Sequence, residues 1–137
     1  MPSIFTRIVN GEIPAIKVYE DADTLAFLDI NPASRGHTLV ICKAEIATLT
    51  ELSDAQLIAT ARTTQRVAAA IQRSLQPDGI NIMQNNGAAA GQTVFHYHVH
   101  IIPRWQNDDV VQFWQPRSVA KEMIVTIADS IKNAMNR

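Results

Sequence analysis

Between Phe95 and Ile102 the chain alternates: His96, His98 and His100 are interleaved with Phe95, Tyr97, Val99 and Ile101. A period of two is the signature of a β-strand, whose successive side chains point to opposite faces. The pattern predicts a strand that lines up three of the chain's four histidines on one side and an apolar row suited to a core on the other. A strand with one apolar face needs a sheet and a cover to bury it. With 137 residues the chain has room for one core, and residues 1–137 read as a single domain.

The flanking sequence supplies the rest of an α+β fold. Ile16 to Glu20 alternates, Asp21-Ala22-Asp23 turns, and Thr24 to Leu28 runs back as a hairpin. Asn31-Pro32 breaks the chain before a third strand, Thr38 to Cys42. Ser53 with Gln56 forms a capping-box signature. Leu57, Ile58, Ala61, Val67, Ala68, Ile71 and Leu75 then mark a helical stripe that Pro77 and Gly79 end. Ile80 to Gln84 reads as a strand, and the loop from Asn85 to Thr93 is longer than the roughly two to five residues of an ordinary hairpin. Ser118 to Met135 reads as an amphipathic helix, with Val119, Met123, Ile127, Ile131 and Ala134 on one side. The expected architecture is a mainly antiparallel sheet of about five strands with two main helices.

Three chemistries suit a histidine row. A plain solvent-facing strand is the first, although such faces usually carry Thr, Lys or Glu. A metal site is the second. Same-face residues on a strand lie roughly 6.5–7 Å apart, so three on one straight strand converge poorly on a tetrahedral ion, and no cysteine stands nearby to complete the set. Phosphoryl chemistry is the third: imidazole supplies both a neutral nucleophile and donors to an anion near pH 7. The loop before the strand fits this last reading. Gly87, Ala88 to Ala90 and Gly91 let backbone N–H groups approach a phosphate, and Thr93 adds a hydroxyl.

Charge narrows the class further. Twelve Lys+Arg against thirteen Asp+Glu leave a formal net charge of −1, which argues against gripping nucleic acid or an acidic membrane by bulk charge. Cys42 is the only cysteine, so an internal disulfide framework is excluded. No stretch approaches the roughly 18 apolar residues of a membrane span, and Met1 to Arg7 lacks the layout of a signal peptide. A reducing, cytoplasmic setting is expected.

His96-Tyr97-His98-Val99-His100-Ile101-Ile102 resembles the signature of the histidine-triad (HIT) family. Ile4-Phe5, Gly11 to Pro14, Phe27 to Pro32, Gly36 to Ile41 and Asn85 to Arg104 look like family segments in family order. The resemblance implies a HIT-like fold, homodimers joined edge to edge, and hydrolysis at the α-phosphate of a purine nucleotide through a nucleotidyl-histidine intermediate. No cofactor or catalytic metal is implied. By position, His98 matches the family's nucleophile, His100 its phosphate-binding histidine, His96 the residue that orients the nucleophile, and His37 the upstream histidine beside the triad. Asp29 matches the acidic residue on the ribose hydroxyls, with Ile30 beside the base. Asn85, Gly91 and Thr93 match the phosphate-facing loop, and Gln92 a position some branches use near the leaving group.

Plainer roles stand beside these. Asp29 suits a turn, His37 a satisfied buried histidine, Asn85 a strand-end cap and Cys42 a small buried residue. Many bacterial HIT proteins also build a structural zinc site from Cys-x-x-Cys and a later histidine. Here those positions resemble Ser3, Thr6 and Glu45, which argues against zinc. The reading favoured by the resemblance is a purine nucleoside phosphoramidase. A diadenosine polyphosphate hydrolase, a nucleotide-binding sensor and a metal-dependent hydrolase remain the alternatives. Trp105, Phe113, Trp114 and Arg117 bear on the choice, either lining a leaving-group pocket or packing under the last helix.

Overall fold

The computed structural model describes residues 1–110 and 114–136. Ser3 opens the first helix, α1 (Ile4–Val9), by accepting the Thr6 N–H at its hydroxyl. Two strands follow, β1 (Lys17–Glu20) and β2 (Thr24–Leu28), turned by Asp21, whose Oδ1 accepts the N–H groups of Asp23 and Thr24. After β3 (Thr38–Cys42) comes the long helix α2 (Asp54–Leu75). Its capping box is present in full: the Ser53 hydroxyl takes the Gln56 N–H and the Gln56 side chain takes the Ser53 N–H. Strands β4 (Gly79–Gln84) and β5 (His98–Arg104) complete an antiparallel sheet in the order β1-β2-β3-β5-β4.

The sheet is covered on both faces, which is why β3 is buried along its whole length. On one face Val40, Val99 and Ile101 pack with Val67 and Ile71 of α2. On the other, Leu25, Phe27, Leu39 and Ile41 pack with Phe5 and Ile8 of α1. Cross-strand pairs share a face, and β3–β5 register sets Ile41 opposite His98 and Leu39 opposite His100. His98 and His100 therefore lie on the α1 face. An apolar cavity of about 500 Å³, lined by Tyr19, Val67, Ile71 and Leu75, lies against α2 on the other.

Three expectations need correction. The strand begins at His98 and not at Phe95, so His96 sits in the irregular segment before it and Phe95 is 55% exposed. The α2 stripe is rotated. Thr60, Thr63, Val67 and Ile71 are its buried residues, while Leu57 and Ile58 face out. Burying two threonines costs little because each hydroxyl is paired, Thr60 back to Gln56 and Leu57 carbonyls, Thr63 to Thr24 at 2.8 Å. Finally, α3 (Lys121–Met135) is amphipathic but buries none of its residues, so its apolar side stays uncovered among the described residues. Trp105 instead stacks under the Arg35 guanidinium at 5.0 Å, Arg117 and Trp114 are exposed, and Phe113 lies outside the described residues.

Candidate active site

The loop between β2 and β3 begins with Asp29 and ends with His37, drawn together by the Asp29 N–H donating to the His37 carbonyl at 2.9 Å. Gly36 makes this turn possible. Its φ is +89°, and a side chain there would collide with Leu75. His37 then reaches across to β5, with Nε2 2.9 Å from His100 Nδ1. The His98 and His100 rings lie 5.0 Å apart, and the Phe5 edge packs 5.0 Å from His98.

Backbone partners decide where each proton sits, because a carbonyl only accepts and an N–H only donates. The Ala33 N–H donates to His37 Nδ1 at 2.9 Å. Neutral His37 therefore carries its proton on Nε2 and donates it to His100 Nδ1, leaving the His100 proton on Nε2. His98 Nδ1–H donates to the His96 carbonyl at 2.6 Å, which leaves its lone pair on Nε2, with no hydrogen-bond partner among the described residues. His96 Nε2–H donates to the Cys42 carbonyl at 2.6 Å. The arrangement sets a nucleophilic nitrogen on His98 beside an N–H donor on His100, one ring apart. Neither the Ala33 amide nor the Cys42 carbonyl is marked by any sequence signal, since both act through backbone.

Asp29, His37 and His100 each bring one metal-ligating atom within 4.8 Å of the others. A metal on His37 Nε2 would require the proton on Nδ1, against the Ala33 N–H, so the donor set suits proton placement better than a cation. Asp29 Oδ2 stands 3.7 Å from His37 Nε2, while Oδ1 accepts the Asn31 N–H at 2.8 Å. The turn role and the site-facing role thus use different oxygens. Ile30 is 83% exposed at the mouth of the same loop.

The β4–β5 loop is braced from within. Gly91 takes φ +95° after a 3-10 turn, Ala88–Ala90, and the Asn85 side chain lies against it. Gln92 is buried, its Oε1 accepting the Gly87 N–H and its Nε2 donating to the Ala47 carbonyl, both at 2.8 Å. Its amide thus braces the loop at both its oxygen and its nitrogen. Thr93 is exposed in an open cleft of about 700 Å³ with Ser3, Glu45 and Phe95.

Residues 10–107 match the HIT domain. The chain belongs to the HIT family. It is 40% identical to a HIT family protein from Bacillus subtilis whose crystal structure superposes with a TM-score of 0.91, covering 97% of this chain and 96% of that one. A histidine triad nucleotide-binding protein from Candida albicans superposes with a TM-score of 0.87 at 28% identity, covering 98% and 97% of the two chains. An adenylylsulfatase from Arabidopsis thaliana is 43% identical over 105 residues, 77% of this chain and 53% of that protein.

The structural zinc that many bacterial HIT proteins build does not fit the residues here. The corresponding side chains are two alcohols and a carboxylate, which lack the thiolates that bind zinc tightly. Ser3 Oγ already lies 2.6 Å from His96 Nδ1, closer than two ligands on one tetrahedral ion can stand.

Burial depresses the site histidines. It pushes His37 and His98 below 6.5, and His100 to about 4, helped there by the neighbouring His98 and His37 and opposed by Asp29. The unfolded chain, with histidines at their ordinary value, binds protons first as pH falls. This part of the stability is thus complete above about pH 6.5 and drains away on acidification toward the folded values. Denaturant titrations at pH 7 and pH 5 are expected to differ by about 2 kcal/mol, with the acid sample weaker. His100→Gln should shrink that difference, and equal stability at the two pH values would contradict the burial argument.

Proposed function

We propose that the chain is a nucleotide hydrolase that cleaves purine nucleoside 5′-phosphoramidates at the α-phosphorus. The observation that carries the reading is the proton arrangement: a bare His98 Nε2 beside the His100 Nε2–H, both fixed from behind. In the first step a His98 Nε2–P bond forms and the P–N bond breaks, the amine leaving with a proton taken from solvent, to which the attacking water of the second step returns one. In the second, water attacks phosphorus, the Nε2–P bond breaks, and a nucleoside monophosphate departs with His98 restored. His100 donates to a non-bridging oxygen, where charge accumulates in both transition states. His37, oriented by Ala33, holds His100 in the donating tautomer. Asp29 accepts from the ribose hydroxyls and Ile30 lies against the base, while Asn85, Gly91 and Thr93 shape the phosphate side.

The family membership, the nucleotide-binding relative and the adenylylsulfatase all support chemistry at an adenylyl-type phosphate. A homodimer paired along β4 is part of the same reading. That strand is one of the two sheet edges, with Ile82 and Met83 exposed on it, and Leu57 and Ile58 lie open on α2.

The deciding experiment is turnover of adenosine 5′-phosphoramidate beside diadenosine polyphosphates, with and without EDTA. Release of AMP from the phosphoramidate that EDTA does not reduce is the expected result. Preference for the polyphosphate would reassign the substrate, and loss of activity in EDTA would replace the metal-free route. Asp29→Ala should raise KM about tenfold with kcat changed much less, since it removes ribose contacts made equally in ground and transition states. A fall in kcat at constant KM would instead make Asp29 part of the chemistry.

A further inference from the structure

The α1 end of the site holds a polar cluster that the proposed chemistry does not use. Ser3 Oγ accepts the Thr6 N–H at 3.0 Å and lies 2.6 Å from His96 Nδ1, to which its hydroxyl can donate. Glu45 Oε1 accepts the Ser3 N–H at 2.6 Å and the Thr6 hydroxyl at 2.9 Å. Glu45 Oε2 stands 3.3 Å from His96 Nδ1. His96 itself is fully buried, tied at its other nitrogen to Cys42, and packed against Phe5 at 5.8 Å. Three parts of the chain thus close on one imidazole: the N-cap of α1, the end of β3 and the turn that follows it.

The imidazole matters because of its own backbone. The His96 carbonyl is the acceptor that keeps the proton on His98 Nδ1. His96 lies outside the β5 ladder. The peptide unit that carries its carbonyl is held on one side by the Tyr97 N–H, which donates to the Ile46 carbonyl at 2.7 Å in the turn that also carries Glu45, and on the other by the anchors of the His96 ring.

We propose that Ser3, Thr6 and Glu45 form a metal-free, hydrogen-bonded clamp on His96, and that Ser3 and Glu45 are thereby positioning residues for the His98 imidazole. The clamp occupies the place where many bacterial HIT proteins build a zinc site, and has a charge-assisted network in place of ligand bonds. Release of the clamp leaves the His96 carbonyl held by the Tyr97–Ile46 bond alone, its position relaxes, and the Nε2–H tautomer of His98, which has no lone pair on Nε2 for attack, becomes populated.

The catalytic arm of the test rests on the proposed phosphoramidase; the spectroscopic arm does not. Two-bond ¹H–¹⁵N correlation spectra of the histidine rings should show His98 as a pure Nδ1–H tautomer in the wild type. In Ser3→Ala and Glu45→Ala the His98 signals should move toward a mixture, and Ser3→Thr, which keeps the hydroxyl, should restore them. Glu45→Ala leaves the α1 cap intact, so it stands as the second variant where Ser3→Ala loosens α1. With phosphoramidate substrate, kcat should drop about tenfold in both alanine variants and KM stay within about twofold, with recovery in Ser3→Thr. A wild-type His98 tautomer in both alanine variants overturns the clamp, as does a shift of the His96 signals on adding zinc. A wild type that releases no AMP defeats the phosphoramidase instead, and the tautomer spectra still judge the clamp.

Discussion

Alanine at position 98 is expected to lower kcat for phosphoramidate hydrolysis by at least about 1,000-fold, with the affinity for AMP changed by less than about threefold. The asymmetry follows from what is removed. His98 supplies the atom that bonds to phosphorus, so its loss abolishes a covalent path and not merely a contact. Asp29, Ile30, His37 and His100 come from the β2–β3 loop and the neighbouring position of β5, and the variant leaves them in place. Steady-state turnover and calorimetric AMP binding measure the two halves. Quenching the wild type during turnover in alkaline denaturant, where a histidine N–P bond survives, should trap a protein heavier by one nucleotidyl group, and the variant should show none. Turnover at the wild-type rate in His98→Ala would end the nucleophile assignment.

Ile101→Ala should destabilise the fold by about 3 kcal/mol, the usual range for emptying an aliphatic site that cannot collapse. Ile101 is fully buried on β5, paired with Thr38 on one side and Ile82 on the other, and packed against the α2 face. A loss of that size is a large share of the roughly 5–15 kcal/mol by which domains are stable. Equilibrium denaturation should show a lower midpoint with an unchanged slope. Because adjacent residues of a strand point oppositely, the deleted side chain faces away from His98 and His100, and kcat per folded molecule should stay within about twofold. A parallel loss of kcat in fully folded protein would mean that the two faces of β5 are coupled.

The sequence read best where structure is local. The Asp21 turn, the capping box at Ser53 and the strands Thr24–Leu28 and Thr38–Cys42 depend on neighbours within a few residues, and each stands where the pattern puts it. It read less well where burial depends on what a face meets. Leu57 and Ile58 look like core on a helical wheel, yet Thr60 and Thr63 are buried because Thr24 and the helix's own carbonyls satisfy their hydroxyls. The apolar side of α3 has the right period and buries nothing. Periodicity measures how apolar residues are spaced and says nothing of whether another surface arrives to cover them.

For the site, residue types and their spacing were enough to gather three histidines and a small-residue loop into one chemical hypothesis, to which the family resemblance added His37. Alternation alone put His98 and His100 on a common face, because that follows from strand geometry at any position in any sheet. Only the tertiary structure decided which nitrogen of each ring carries its proton. That choice belongs to the Ala33 amide and to the His96 and Cys42 carbonyls, groups every residue possesses and no pattern can single out. The same holds for Ser3 against His96, 93 positions apart, where a hydroxyl becomes a clamp only because the fold brings it within 2.6 Å. A hydrogen bond is a matter of ångströms and angles, and those are set when the chain closes on itself.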